Sequence, residues 1–419
     1  MHSHIRAILL LVVFVSSTAF SQLVTTVVPS LEISPSPEAN GQGETSVSRI
    51  TDDPYAVNSN PAHLGFLGSQ PFLSASFYPS KTQWLPGSGN NELTYNSFAA
   101  TGGLNCEKYF SIPLTIGIAY SKVDLNYGTW TMTDGYGNSM SGNVEEYTNA
   151  FSFGAGLDVG IQIALGITFR KIDSKLGPYG PLNPPSDNSI WSRDYGLLIN
   201  IPVIDLVDRE IKIFPVVSPL CNVSFGTALT NVGDKMTYID KAQQSSLPRM
   251  ISLGTTIDLG IKYSPTDHKL ISISWTRESS SLLVGYSDTL GTTYYRGGFA
   301  DIDFIKNIIE GKQTNQTQYG VTYSATNLSQ GWQLGLGEII YVRGGSFQSS
   351  GINLSTSGIG IRAKGIFKLL EDFQIPEPDF IALLHRHFDV RYDYCKYHAN
   401  DYGPMDGTTF SSFSVTVKL

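Results

Sequence analysis

The residues whose types invite chemistry gather near the end of the chain. His385, His387, Cys395 and His398 lie close together, and imidazole and thiolate are the usual ligands of tetrahedral zinc. Their spacing argues against a metal. His385 and His387 flank Arg386 at the start of an alternating segment, and no second ligand group is placed to close a tetrahedron. Nucleophilic catalysis has little to build on: there is no Gly-x-Ser-x-Gly elbow, and the histidines fall mainly towards the ends of the chain. The expectation is a protein that is not an enzyme and carries no metal or cofactor. The same stretch offers a different chemistry. His387, Asp389, Arg391 and Asp393 alternate with Phe388, Val390, Tyr392 and Tyr394. An ionic face behind an aromatic one suits a strand with a polar lumen on one side and lipid on the other.

Strands of that kind recur along the chain. Ile251, Leu253, Thr255, Ile257, Leu259, Ile261 and Tyr263 share one parity, and Ser252, Gly254, Thr256, Asp258, Gly260 and Lys262 the other. Thirteen residues of alternation exceed the five or six of an average soluble strand and match a tilted bilayer crossing of about 9–11 residues. Residues 114–120, 271–276, 319–325 and 413–419 repeat the pattern. From 151 to 169 the odd positions are large and apolar and the even ones mostly small. A tight hairpin at Asp158-Val159-Gly160, pairing 157 with 161, accommodates that length.

The sequence predicts an all-β transmembrane barrel of about fourteen antiparallel strands, near 71–79, 93–106, 112–122, 144–157, 161–172, 193–202, 220–232, 247–263, 268–278, 315–325, 331–343, 354–366, 386–397 and 410–419. Connections 123–143, 173–192 and 279–314 are long, while 158–160, 264–267 and 326–330 are short, the asymmetry of extracellular loops and periplasmic turns. Connections 203–219 and 367–385 are long at the short-turn end; either they are genuine excursions or the count is off by a hairpin.

Composition agrees. Charged residues make up 15% of the 419, against roughly 25% in ordinary soluble proteins, while Gly numbers 41 and Tyr and Phe 22 and 21. A net charge of −8 with no basic patch excludes nucleic acid as a partner. Residues 1–21 read as a signal peptide: Arg6, the apolar run Ala7–Val15, and Ala19 and Ser21 at the −3 and −1 positions of a cleavage site. Cys106, Cys221 and Cys395 fall on non-adjacent predicted strands, so all three should be free.

Residues 22–68 hold few alternating runs and much Ser, Pro, Gly and Asn, so they are expected to fold inward as a hatch ahead of the barrel at 69–419. Within the longest loop, Ile302, Ile305, Ile308 and Ile309 fall at helical spacing over 299–311, predicting a short amphipathic helix: a lid, a docking surface, or a helix packed on the rim. The Pro-rich runs Gly177–Pro185 and Ile375–Pro378 read as stiff loops.

The hatch carries a resemblance. Glu38-Ala39-Asn40-Gly41-Gln42-Gly43-Glu44, then Thr51-Asp52-Asp53-Pro54-Tyr55-Ala56, then Asn58-Ser59-Asn60-Pro61-Ala62-His63-Leu64, is similar to the opening of the PorV/PorQ family, itself related to FadL-type fatty acid transporters. Phe225–Lys235 followed by Leu247-Pro248, Tyr341–Gly345, and Ser357–Ile361 continue the resemblance in order. The chain departs from the family at His63, where Gly is usual, and at Leu419, where most outer-membrane barrels end in an aromatic residue. The resemblance implies a fourteen-stranded barrel whose N-terminal segment plugs the lumen. Gly41, Gly43, Asp52, Asp53, Asn60 and Pro61 are then structural hatch residues. Gly41 and Gly43 allow backbone angles closed to other residues, and Pro61 drives Asn60 towards extended backbone.

Two function classes follow, both in an outer membrane whose lipid is the first partner. The leading one is an accessory or shuttle in type IX-like secretion, partnered by exported cargo or by other secretion components. The alternative is FadL-like passage of a hydrophobic small molecule.

Overall fold

The computed structural model describes residues 26–67, 72–133, 137, 139–175, 187–208, 211–238, 244–287, 292–318, 321–373, 387–399 and 403–418. The expected leader over 1–21, both Pro-rich runs, His385 and Leu419 lie outside them.

Fourteen long strands form one closed antiparallel sheet: β1 (Phe72–Phe77), β2 (Thr94–Asn105), β3 (Leu114–Thr133), β4 (Ser139–Asp158), β5 (Gln162–Lys175), β6 (Asp187–Pro202), β7 (Val217–Gly233), β8 (Met250–Tyr263), β9 (His268–Leu282), β10 (Asn327–Leu336), β11 (Ile340–Ser349), β12 (Ile352–Arg362), β13 (Phe388–Ala399) and β14 (Thr409–Lys418). Each pairs with the next, and β1 pairs with both β2 and β14, which closes the barrel. Thr82–Gln83 continues the line of β1 along β2 beyond a break at 78–81.

Large side chains face outward. Phe151, Phe153, Leu165, Ile273 and Trp332 are all exposed. The inner face is polar and buried, with hydroxyls joined across strands: Ser76 to Ser414 at 2.8 Å, Ser152 to Thr168 at 2.7 Å, Thr256 to Thr276 at 2.9 Å. This inverts a soluble protein and is the pattern of a wall between lipid and a polar interior. An apolar cluster of Tyr55, Tyr78, Tyr95, Tyr397 and Phe410 sits inside, near the β1–β14 seam. All three cysteines are free.

The strand count agrees with the sequence, but two strands move. Within the strand predicted over 315–325, Asn315–Gln318 and Val321–Ser324 instead pair with each other in a separate two-stranded sheet. The segment predicted as one strand over 331–343 contains a turn at 337–339, where Gly337 takes φ +59°. Leu336 pairs with Ile340, so parity is kept across the turn and alternation alone hides it. Residues 123–133 and 139–143, expected in a loop, continue β3 and β4 as a ribbon. The hairpin after β4 turns at 159–161, with Leu157 opposite Ile163, two residues later than expected, and Gly160 has φ +96°.

Turns 159–161, 264–267 and 337–339 share one end with the start of β1 and the finish of β14; by turn length that end is periplasmic. The two long connections at this end are genuine, opening with helices Val203–Val207 and Lys364–Asp372. The predicted loop helix over 299–311 is only a π-helical turn, Phe304–Ile309. It buries Ile308 and leaves Ile305 and Ile309 exposed. Asn307 ends it by bonding the Lys312 carbonyl, and Arg277 of β9 donates to the Ile308 and Ile309 carbonyls, pinning it to the rim.

The lumen is occupied by residues 26–67, and one sterically defined row of the wall receives them. Gly103, Gly117, Gly154, Gly166 and Gly196 lie directly opposite one another across β2 to β6. A Cβ on Gly117 would stand 2.5 Å from the Leu64 carbonyl oxygen and one on Gly154 2.6 Å from Leu64 Cβ, while one on Gly166 would strike the Pro61 backbone. On the far wall Gly226, Gly331 and Gly345 meet Val47 and Gln42 in the same way. Glycine is needed here for close approach of two backbones.

Gly166→Ala is therefore expected to unseat the Pro61 turn, costing about 1–3 kcal/mol as an overpacked contact. Gly297→Ala, with nothing within 4 Å, should be neutral. Urea unfolding in lipid and proteolysis of the hatch would check both.

Candidate functional site: a hatch bonded into the lumen

The hatch is a chain of short turns, each begun by proline: Pro29–Glu32, Pro37–Asn40, Pro54–Asn58 and Pro61–Gly65. Side chains cap three of them. Ser36 Oγ accepts from the Ala39 amide at 3.0 Å, Asp53 from Tyr55 at 3.2 Å and Asn60 from Ala62 at 3.0 Å. Proline at the first helical position gives up an amide that would lack a partner anyway. Asn60 is extended, with φ −152° and ψ 107°, and its amide also donates to the Val47 and Leu197 carbonyls. Gly43 takes φ +68° and gives its N–H to Thr356 of β12; a Cβ on Gly41 would come within 3.1 Å of Gly358 Cα.

The wall answers the hatch's backbone groups with side chains. Glu278 of β9 accepts the Ser46 and Ser48 amides, each at 3.0 Å. Glu146 of β4 accepts the Ser30 amide at 3.0 Å. Ser224 of β7 donates to the Ser48 carbonyl at 2.7 Å, and Tyr78 to that of Pro35 at 2.7 Å. Arg170 and Asp194 form a buried pair at 2.7 Å, and Asp194 also takes the Asn231 amide.

A denser ionic cluster binds the hatch to β11–β13. Glu38 pairs with Arg49 and Arg391 and lies 3.8 Å from Arg343. Arg343 holds Asp393 at 2.5 Å, and Arg391 also pairs with Asp393 and reaches Asp52 at 3.2 Å and Asp53 at 3.8 Å. Arg362 pairs with Asp52. Four arginines thus face four carboxyl groups, and all but Asp52 and Arg362 are nearly sealed from solvent. Burial alone would raise the Glu38 carboxyl, but Arg391, Arg49 and Arg343 together bring it well below the usual carboxylate range. Asp53 is pushed up to about 6: burial outweighs Arg391, and the Glu38 and Asp393 charges add to it.

Of the four lumen candidates on the thirteenth strand, Asp389, Arg391 and Asp393 are buried on the inner face. Asp389 accepts the Lys364 amide at 3.2 Å. His387 is not in the lumen: it is exposed just before β13, with its ring nitrogen 3.2 Å from the Lys418 carbonyl. The ladder of β13 begins at Phe388, so its alternation does not extend back to His387. Sequence reasoning assigned no role to Arg49, Arg343, Arg362, Glu146 or Glu278. Arg343 stood in a quoted motif, and its signal was a charge on the small-residue face of a strand. Among the described residues no three His, Cys, Asp or Glu side chains gather to hold a metal.

His63, the departure from the resembled family, has a role. Its Nε2 donates to the Ser46 carbonyl at 2.7 Å, tying the two halves of the hatch together. Nδ1 has no hydrogen-bond partner among the described residues. Burial pushes the imidazole down to about 4.

Above the hatch a cavity of about 420 Å³ opens towards the extracellular rim. Leu31 and Ile33 of the hatch, Trp84 and Leu85 of the first upper loop, Phe347 and Met405 give it apolar walls. Glu44 and Arg170 bring charge to it. Glu44 is pushed up to about 7 by burial, against the Tyr397 hydroxyl that donates to it at 2.6 Å.

No family model and no curated protein matches the sequence. Solved structures with a similar course include the Ralstonia pickettii toluene transporter TbuX, at 11% identity and TM-score 0.43, covering 91% of this chain and 98% of that one. The P. putida toluene transporter TodX follows at 9% and 0.39, covering 91% and 97%. A Pseudomonas aeruginosa FadL homologue stands at 9% and 0.35, covering 90% and 96%. The closed barrel itself, apolar outside and polar within, has the form of an outer-membrane protein.

Glu38→Gln should cost about 3–5 kcal/mol, because it strands buried arginines. Adding Arg49→Leu should recover part of that, and exposed Glu310→Gln should cost under about 0.5 kcal/mol. Denaturant titration in lipid measures all three.

Burial holds the folded-state pKa of His63 below the ordinary imidazole value of about 6.5. Its contribution is complete above about 6.5 and is lost as pH falls towards 4, by up to about 3 kcal/mol. The stability difference between wild type and His63→Gln should shrink over that window; hydrogen exchange of hatch amides from pH 7 to pH 4 reads it.

Proposed function

We propose that the protein admits a small hydrophobic or amphipathic molecule from the cell exterior, with the hatch as the floor of its binding site. The observation that carries this reading is the cavity above residues 29–35. Its volume lies within the roughly 300–1,000 Å³ of small-molecule sites, and its lining is amphipathic: Leu31, Ile33, Trp84, Leu85, Phe347 and Met405 stand among hydroxyls and the charged Glu32, Glu44, Arg170 and Glu278. Leu31 and Ile33 belong to the hatch itself, so an occupant touches the segment that closes the lumen. Near neutral pH Glu44 is partly protonated and suits the polar end of an amphipathic solute.

A second reading, the secretion accessory, draws on the largest upper loop. Phe299, Phe304, Ile305 and Ile309 are exposed there, an apolar surface that suits an exported polypeptide held outside the membrane.

Decanoate and toluene serve as probes in proteoliposomes, with the fluorescence change lost in Trp84→Phe as the readout. Saturable binding weakened tenfold or more by Leu31→Asp supports the solute site. No saturable binding, together with exported proteins that co-purify from native outer membrane and are lost on Ile305→Asp/Ile309→Asp, would replace it with the second reading.

A further inference from the structure

On β3 to β5 the outward apolar band is shorter than a membrane, and its upper edge there is sharply set. On β5 it runs from Ile163 through Leu165 and Ile167 to Phe169 and is followed by Lys171. On β3 it runs from Leu114 to Tyr120 and is followed by Lys122, and on β4 it begins at Phe151 after Asn149. Lys122, Asn149 and Lys171 are direct cross-strand partners, so one polar row caps the band on three strands. Six residue steps at about 3.3 Å give about 20 Å along the strand, and a tilt near 40° leaves about 15 Å of height. An outer-membrane band is about 25 Å tall. On these three strands the upper edge is fixed by the polar row, although Phe98 and Trp191 occupy the same row on the flanking strands, so the missing height of β3 to β5 lies below them.

The periplasmic connections begin there, and they are apolar where connections are ordinarily polar. Phe110 is 64% exposed in the connection after β2, Val159 66% in the turn after β4, and Val207 75% and Phe214 65% in the connection after β6. Leu206 reaches beneath the 159–161 turn, where a Cβ on Gly160 would lie 3.6 Å from its Cδ2. On the other side of the barrel the amphipathic helix Lys364–Asp372 ends at Phe373, 73% exposed. That helix is held rigidly. Gly365 is pressed on the Gly337–Glu338 backbone, Lys368 pairs with Glu338, and Asp372 takes a 2.6 Å hydrogen bond from buried His268.

We propose that these connections are seated in the inner leaflet of the outer membrane, at the boundary of headgroups and acyl chains, and complete the lipid-facing band from below. Their apolar side chains continue the surface that the strands already present to lipid. Ordinary periplasmic loops would carry no such run of exposed Phe, Val and Leu at several points around the rim. The partner is the phospholipid leaflet, and the connections act as interfacial feet that set how deep the barrel sits.

The test uses the full chain in phosphatidylcholine proteoliposomes. Half-buried Cys221 is replaced by Ser, and single cysteines at 110, 207, 214 and 373 carry an environment-sensitive fluorophore. Lipids with a nitroxide near the headgroup should quench each site at least twofold more than a probe at exposed Lys312 in the upper loop. Probes at the four positions no more quenched than the one at 312 would overturn the proposal, as would protection that appears only on dimerisation or on adding periplasmic proteins. A second measurement does not depend on labels. Val207→Asp/Phe214→Asp should insert like wild type into thin dilauroyl bilayers but at least fivefold more slowly into dioleoyl bilayers. Equal slowing in both would also overturn it.

Discussion

A backbone without helix or sheet cannot be buried unless each of its amides and carbonyls finds a partner. The hatch runs for some forty residues as short turns inside a barrel, and this requirement shapes the wall around it. Glu278, Glu146, Thr356 and Ser224 point inward because hatch amides and a carbonyl lie opposite them. The polar lumen is thus less a water-filled channel than a set of hydrogen-bonding groups matched to one particular chain. The ion pairs extend the same logic to charge. Arg391 and Arg343 on the wall share the single wall carboxylate Asp393, and the hatch brings Glu38 as the second anion. Such pairs add little net stability compared with an apolar core, but they cannot be broken singly without leaving a buried charge. They specify where the hatch sits more than they strengthen it.

The barrel was legible because a strand between lipid and a polar interior writes its geometry directly into the sequence, one residue in two. The same signal explains the errors. The sequence of 319–325 alternates as a membrane strand does, yet its described part Val321–Ser324 pairs with Asn315–Gln318 outside the barrel sheet: alternation reports two unlike faces, not what covers them. The turn at 337–339 was hidden because three residues preserve parity. The ribbon above β3 and β4 was missed for the opposite reason. Above Lys122 the outer face turns polar while Val123 and Leu125 stay buried inside, and from Thr129 both faces are exposed, so the apolar alternation fades while the hydrogen-bonded ladder continues.

The site was less legible. Asp389, Arg391 and Asp393 stood out as charges on a strand with an aromatic reverse face. Arg343, Arg362 and Glu278 find their hatch partners more than two hundred positions away along the chain, and Arg49 meets Glu38 only where the irregular hatch folds back on itself. The glycines were visible on the small-residue parity, but what makes them a row is register, which depends on turn lengths that alternation does not fix. His63 read as a departure from a motif; its bond to Ser46 appears only when two stretches of irregular chain are folded together.

The glycine row also limits how the lumen can open. Next to Gly166 on the inner face of β5 stand Ala164 and Thr168; next to Gly226 on β7 stand Ser224 and Ala228. The hatch backbone therefore lies in slots one residue deep, one across β2 to β6 and another at Gly226, with side chains above and below it. A plug so keyed cannot slide along the barrel axis like a piston, since a shift of one step drives Pro61 and Val47 onto those neighbours. It leaves only by bending out of its slots turn by turn, and its proline-started turns are the natural joints at which a chain of this kind comes apart in pieces.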